Sequence, residues 1–406
     1  MNFTMIYYSQ SNKTTNANLT KGRYFMQVFV VDAMTGAGKS CGAIRYMNEG
    51  DGKYIYVTPY LTEVERIVEA CKEKEFCAPE DDGAKLSSVR KLISEGRNIA
   101  TTHALFGRFT RDIVGMLKEG GYTLILDEVF EIVKRLSVSR NDIEFLLSSG
   151  IFKLEDDGCT MSLSEGAYVP EAYKQLAAFA SENRLILIKQ CAMFWTFPAE
   201  IFKAFKEVII LTYMFESQLQ SYYFTMNNIQ CGRKYVDKDE LGFKIVDYEV
   251  PENQLSLGLI DKIHIVNERK YNEVGDRNNA LSKAWFSRHG TNSKEITELR
   301  RQMGNMITNR FRGVKGSVMW TTLKQNRKKL TSKGFVKSFV PCNARGTNMY
   351  SDATRLVYCL NVFVNPFIME YFRMHGVEVD QDKYALSEII QWVYRSAIRK
   401  GEDIWI

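Results

Sequence analysis

Residues 28–40 read VFVVDAMTGAGKS, a short apolar run that breaks into a glycine-rich loop ending in Gly38-Lys39-Ser40. Val28 to Val31 predict a buried strand, while Gly36 and Gly38 let the backbone turn its N–H groups toward phosphate oxygens. Lys39 is placed to reach terminal phosphates, and the Ser40 hydroxyl to ligate Mg²⁺ at the first turn of a helix. The loop therefore offers Thr35, Gly36, Ala37, Gly38, Lys39 and Ser40 to a nucleotide, with ATP and Mg²⁺ as the expected cofactors. Ala33 stands where the strict pattern has Gly, so the match is to the looser form in which Ala is allowed. A tight structural turn is the competing reading. The strand before the loop and CGAIRYM after it favour a nucleoside-triphosphate site.

The second informative stretch is Leu124-Ile125-Leu126-Asp127-Glu128. A buried strand ending in two carboxylates can give one to a metal and leave the other to orient a water. Asp127 is then the metal ligand, direct or indirect, and Glu128 polarises the attacking water. An acidic pair opening a surface loop is the plainer alternative.

Between and beyond these motifs the chain alternates. Tyr54–Thr58 reads as a strand, followed by the helical LTEVERIVEACKEK; Asn98–Thr102 reads as another, followed by HALFGRFTRDIVGMLKEG as one helical stretch. Such alternation predicts an α/β fold with a parallel sheet covered by helices, ligands binding at the carboxyl ends of the strands. Residues 129–205 are less regular and read as an insertion, with a hairpin near Asp156-Asp157-Gly158 and a helix near Glu171–Ser181. The strand Val208–Leu211 resumes the pattern, and the polar, turn-rich Gly232–Gly242 region puts a domain boundary at about residue 230. The division is thus 1–230 and 231–406. In the second half, Ile263–Val266, Val318–Thr321, Phe335–Val340 and Arg355–Val364 read as strands, Ile296–Phe311 and Ala385–Lys400 as helices, and Ile404–Ile406 as a short last strand.

Composition narrows the class. The chain has 406 residues, 45% hydrophobic and 25% charged, as globular proteins do, and no apolar run long enough for a membrane span. The N-terminus lacks the pattern of a signal peptide. Eight scattered cysteines and four histidines suggest neither a zinc site nor a disulfide framework, which points to the cytoplasm. Net charge is +6, but Leu299 to Ser351 contains no acid and twelve Lys or Arg. That segment would attract a polyanion by counterion release, unless it is a solvated face balanced by acids such as those of Glu63–Asp82. For the five tryptophans, burial in a core competes with stacking on bases.

At this point the chain resembles the superfamily 2 helicases and translocases of the DEAD/DEAH type, most like those encoded in bacteriophage replication clusters. Asp127-Glu128-Val129-Phe130 stands where the family's acidic box stands. Thr58-Pro59-Tyr60 and Thr101-Thr102-His103 look like its strand-gripping motifs, and Leu211-Thr212-Tyr213-Met214-Phe215 like its coupling motif, with Tyr213 replacing a small residue. Trp320-Thr321-Thr322 resembles a further strand contact, and Asn343-Ala344-Arg345-Gly346-Thr347-Asn348 the motif that senses nucleotide and nucleic acid. Gln391 to Arg399 is similar to the arginine-finger helix, with Tyr394 in place of Gly and the two arginines, Arg395 and Arg399, four residues apart. On one helix that spacing keeps both guanidiniums on a shared face.

The resemblance implies two RecA-like P-loop domains in tandem and ATP hydrolysis coupled to movement along single-stranded or forked DNA, more than RNA. It implies catalytic roles for Lys39, Asp127, Glu128, Gln391, Arg395 and Arg399, and a nucleotide contact from Gly346. Nucleic-acid contacts would come from Thr58, Pro59, Thr101, Thr102, Thr321, Thr322, Arg345 and Thr347. Partners would be replication or recombination proteins, without a membrane. A packaging motor with a nuclease is disfavoured by the acid-free 299–351 segment. A nucleotide-switched binding protein that does not unwind stays open.

Overall fold

Four nearly continuous buried runs build the front half of the first sheet: β1 (Gln27–Asp32), β2 (Lys53–Thr58), β3 (Ile99–Thr102) and β4 (Tyr122–Asp127). Burial on both faces is what parallel strands covered by helices require. The computed structural model describes residues 26–80, 85–250, 259–275, 277–331, 335–342 and 349–406. The stretch read as one helix after β3 is two, His103–Phe106 and Arg111–Gly120. The break lets Phe106 and Phe109 turn together into the main core, their rings 5.0 Å apart.

The insertion forms its own small layer. Strands β5 (Val133–Arg135), β6 (Phe152–Leu154), β7 (Met161–Leu163), β8 (Leu185–Ile188) and β9 (Ala192–Thr196) are paired antiparallel, in the order β5-β9-β8 and as the hairpin β6-β7. Asp157 makes that hairpin's turn by accepting hydrogen bonds from the Cys159 and Thr160 amides at 2.8 and 2.7 Å. Arg184 pins the layer to the first domain. Its buried guanidinium donates to the carbonyls of Phe109 (3.0 Å) and Gly107 (2.6 Å) and lies 5.1 Å from the Trp195 ring centroid.

After the insertion come β10 (Glu207–Thr212), β11 (Cys231–Asp239) and β12 (Gly242–Val246). The seven-stranded sheet runs β12-β11-β1-β10-β4-β2-β3, parallel except for the antiparallel β11–β12 hairpin. The boundary expected at residue 230 therefore falls inside the first sheet. The polar 231–246 segment is held there because Gly232 lets β11 approach the Phe29 ring, and because β12 lies across the helix Lys39–Glu49. At Gly42 of that helix a Cβ would come within 3.3 Å of the Lys244 carbonyl carbon, and Arg45 pairs with Asp239 at 2.6 Å.

The second sheet is smaller and parallel: β13 (Ile263–His264), β14 (Ser317–Thr321), β15 (Ala353–Tyr358) and β16 (Ile404–Trp405), in the order β13-β16-β15-β14. The fold is thus α/β, with two parallel-rich sheets in tandem along the chain. Several second-half elements are shorter than their sequence suggests. Phe335–Val340 contributes only one bridge, Trp320 to Phe339, and the long run read as a strand stops at Tyr358. Asn365 caps the helix Pro366–Met374, with proline at its first turn. That helix does not stay with its own sheet. Ile368, Tyr371 and Phe372 join Phe194, Tyr223 and Phe224 in the first domain's core. No helix among the described residues is long and apolar enough to cross a membrane.

Replacing Arg184 by Ala strands the Gly107 and Phe109 carbonyls in an apolar setting, which should lower stability by about 3 kcal/mol. Lys at this position should recover little, because one ammonium cannot span those carbonyls in the fork geometry of a guanidinium. Urea unfolding of the three proteins checks this; an unchanged midpoint in Arg184→Ala would remove the anchoring role.

Candidate active site

β1 delivers the chain to the loop, and two glycines make the loop possible. Gly36 and Gly38 have φ of 93° and 83°, a region closed to most side chains, and Gly38 is the N-cap of the helix Lys39–Glu49. A Cβ at Gly38 would also fall 2.2 Å from Cγ of Phe243, which the β11–β12 hairpin lays directly on the loop. Lys39 folds back, donating to the carbonyls of Ala33 and, at 3.0 Å, Met34. Burial pushes its pKa down, opposed by the charges of Glu128, Asp127 and Asp32.

Asp127 ends β4 beside this loop. Its Oδ1 is 3.5 Å from the Ser40 hydroxyl, and its backbone carbonyl lies 2.9 Å from His103 Nε2. Burial, then the neighbouring Glu128 charge, pushes the Asp127 carboxyl up to about 7. A half-buried carboxylate facing a serine hydroxyl is a pair of hard oxygen donors, which fits Mg²⁺. Glu128 is in the left-handed region at φ 67°, its N–H donating to Leu211 of β10 at 2.9 Å. That turn carries the second carboxylate off the path of the strand.

Asp32 is a residue whose role the sequence reading did not single out. It sits one position before the loop, and its carboxylate accepts from the amides of Met214 (2.7 Å) and Phe215 (3.0 Å). The phosphate loop and the loop after β10 are therefore joined at the base. Met214 adopts φ 54° to present its amide there.

The second domain reaches this loop. The helix expected to run from Ala385 to Lys400 is Gln381–Val393, followed by a separate 3₁₀ turn, Ala397–Lys400. Ser396 starts that turn by accepting from the Ile398 amide, so Arg395 and Arg399 do not share a helical face. Arg395 is buried at 8% exposure, whereas Arg399 is exposed, with Nε 3.5 Å from where a Gly36 Cβ would stand. Met34 of the loop packs against the second domain's core cluster, which contains Tyr394, Ala397 and Ile398. Gln391 is half-buried, its amide nitrogen enclosed without a hydrogen-bond partner among the described residues.

The threonines expected to grip a strand are placed differently. Thr58, Thr101, Thr321 and Thr322 are buried, at 0 to 2% exposure, so this conformation does not offer their hydroxyls to a polymer. Thr58 and Thr321 end β2 and β14, Thr101 is the next-to-last residue of β3, and Thr322 directly follows β14. Thr102 caps the helix His103–Phe106 by accepting from Leu105, and Pro59 is half-buried. Arg345, Gly346 and Thr347 lie outside the described residues. Four tryptophans (195, 285, 320 and 392) are core residues and Trp405 is half-buried.

Over 395 residues the chain is 36% identical to the SPbeta prophage-derived uncharacterized protein YonV of Bacillus subtilis (strain 168), covering 93% of this chain and 94% of that protein. The chain belongs to the YonV family. The family model of the YonV C-terminal Rossmann-like domain matches residues 258–406, which begins beyond the β11–β12 hairpin and takes in the whole four-stranded sheet. Among solved structures, XPD_APO is similar at 11% identity and TM-score 0.49, covering 94% of this chain and 92% of that one. XPD_Helicase follows at 10% and 0.46, with coverage of 94% and 92%. The S. tokodaii Xpd4 structure stands at 12% and 0.46, with coverage of 93% and 90%. At those scores the likeness adds nothing to the strand order.

Two substitutions test the loop's construction. Gly38→Ala should abolish nucleotide binding through both its φ and the Phe243 clash; adding Phe243→Ala relieves only the clash, so binding stays weak by calorimetry. Asp32→Ala leaves two amides without acceptors at a cost of about 2 kcal/mol, and Asp32→Asn should cost less because it keeps one oxygen. Equal stability of Asp32→Ala and the parent on thermal unfolding would remove Asp32 from the site's framework.

Proposed function

We propose that this YonV-family chain is an ATP hydrolase whose two domains work as a motor on nucleic acid, DNA more than RNA. The observation that carries this reading is Arg399 of the second domain lying against Gly36 of the first domain's phosphate loop. A basic group from a second domain, set at a phosphate loop, is the arrangement that makes hydrolysis depend on domain closure.

In this reading the amides of residues 36–40 cradle the phosphates of ATP, and Lys39 exchanges its loop carbonyls for phosphate oxygens. Ser40 and Asp127 would hold Mg²⁺, which when bound neutralises charge on the phosphates. Glu128 takes a proton from the water that attacks the γ-phosphorus, as the bond to the bridging oxygen breaks and ADP leaves. Arg399 stabilises the charge that develops on the transferring group, a role typically worth about 10³–10⁵ in rate. The acid-free segment from Leu299 to Ser351 supplies the second domain's attraction for a polyanion. The deep seating of the helix Pro366–Met374 in the first domain restrains opening, and favours as second reading a nucleotide-switched clamp that binds without unwinding.

Multiple-turnover ATP hydrolysis, measured with and without single-stranded DNA and RNA, separates these readings. Stimulation by a polymer is expected; none by any polymer would sink the motor. Lys39→Ala and Glu128→Gln should each lose turnover, and wild-type activity in either would dismiss the site. Arg399→Ala should reduce kcat about 10³-fold. Arg395→Ala, whose side chain is buried, should act mainly through stability.

A further inference from the structure

Two residues stand out because each is large where the resembled pattern has a small one: Tyr213 and Tyr394. They come from different domains, and in the fold they meet. Their ring centroids are 6.2 Å apart with an interplanar angle of 68°, an edge-to-face pair. Tyr394 is 4% exposed and Tyr213 half-buried, so the contact is largely shielded from water.

The positions of the two rings in the chain give the contact its meaning. Tyr213 follows β10 directly, on the loop that Asp32 holds by the Met214 and Phe215 amides. Tyr394 caps the helix Gln381–Val393, and three residues later the Ser396-capped turn begins that carries Arg399 to Gly36. One closed circuit results: phosphate loop, Asp32, Tyr213, Tyr394, the turn, Arg399, and back to the phosphate loop. A second cross-domain contact braces the same seam, where the Gln218 amide donates to the Ser387 hydroxyl at 2.9 Å and both residues are buried.

We propose that the Tyr213–Tyr394 pair positions Arg399 against the phosphate loop, acting through the turn and touching no substrate. The proposal rests on the hydrolase reading given above. Aromatic pairs hold by shape and edge-to-face electrostatics, so the contact is carried by the rings. The two bulky residues compensate each other: either alone would leave a gap or a clash where the other now packs.

The test is a double-mutant cycle with Tyr213→Ala, Tyr394→Ala, both together, and the two Phe variants. Each single Ala variant should lower kcat about 10- to 100-fold, the loss that misplacing a catalytic group by about an ångström brings, with KM for ATP changed less than about threefold. Tyr394→Phe should stay within about twofold of the parent, since it keeps the ring, and Tyr213→Phe should lose less than Tyr213→Ala. The double Ala variant should lose no more than the worse single one, because the second change removes a contact already gone. Independent, multiplying losses, or full kcat in a folded Tyr213→Ala protein, would overturn the proposal. If the parent itself hydrolyses nothing, the hydrolase reading fails, and the same cycle read by thermal unfolding midpoints still decides the pair. Non-additive midpoint shifts then support a cross-domain contact, and additive shifts overturn it.

Discussion

Everything at the cleft hangs on the register in which β10 lies between β1 and β4. Asp32 is opposite Thr212 on one side, and Leu211 is opposite Asp127 on the other. That alignment brings three strand ends to one level: the glycine-rich loop after β1, the loop after β10 and the acidic pair. Parallel pairing leaves no freedom here, because a slip of one residue would turn every side chain of the buried strand to the other face. Val208, Ile209, Ile210 and Leu211 are fully buried, so such a slip would be resisted along the whole strand.

From that level the site is built by opposed electrostatic demands. Burial works against the charge of Lys39 and of Asp127 alike, and each is the other's partial remedy. The lysine meanwhile takes two backbone carbonyls of its own loop. In the proposed reading, a nucleotide carrying its metal would resolve both demands at once, offering oxygens to the ammonium and a cation to the carboxylate. The site is thus poised for a ligand whose two ends have opposite charge character.

How much of this could be read beforehand follows from range. The phosphate loop and the Asp127-Glu128 pair are local patterns in which a few neighbouring residues carry the chemistry, and they lie where the sequence places them. The β11–β12 segment reads as a linker because Gly232 and Gly242 are turn residues by composition. Its strand character comes from partners far away, the Phe29 ring and the helix Lys39–Glu49. The break before Arg399 is hidden for another reason: no Gly or Pro marks it, and a serine cap does the work. Asp32 carries no local signal, because an acid at a strand end resembles many others and its two amide partners lie 182 and 183 residues away in the chain.

The seating of Pro366–Met374 in the neighbouring core reaches beyond geometry. A stretch of the second domain whose apolar face is buried only by the first cannot be cut away without exposing Ile368, Tyr371 and Phe372 to water. The segment that the family model delimits, 258–406, is therefore an evolutionary unit more than a thermodynamic one. Its melting is tied to that of the N-terminal half, so a destabilising change in either should be felt as one cooperative loss across the whole chain.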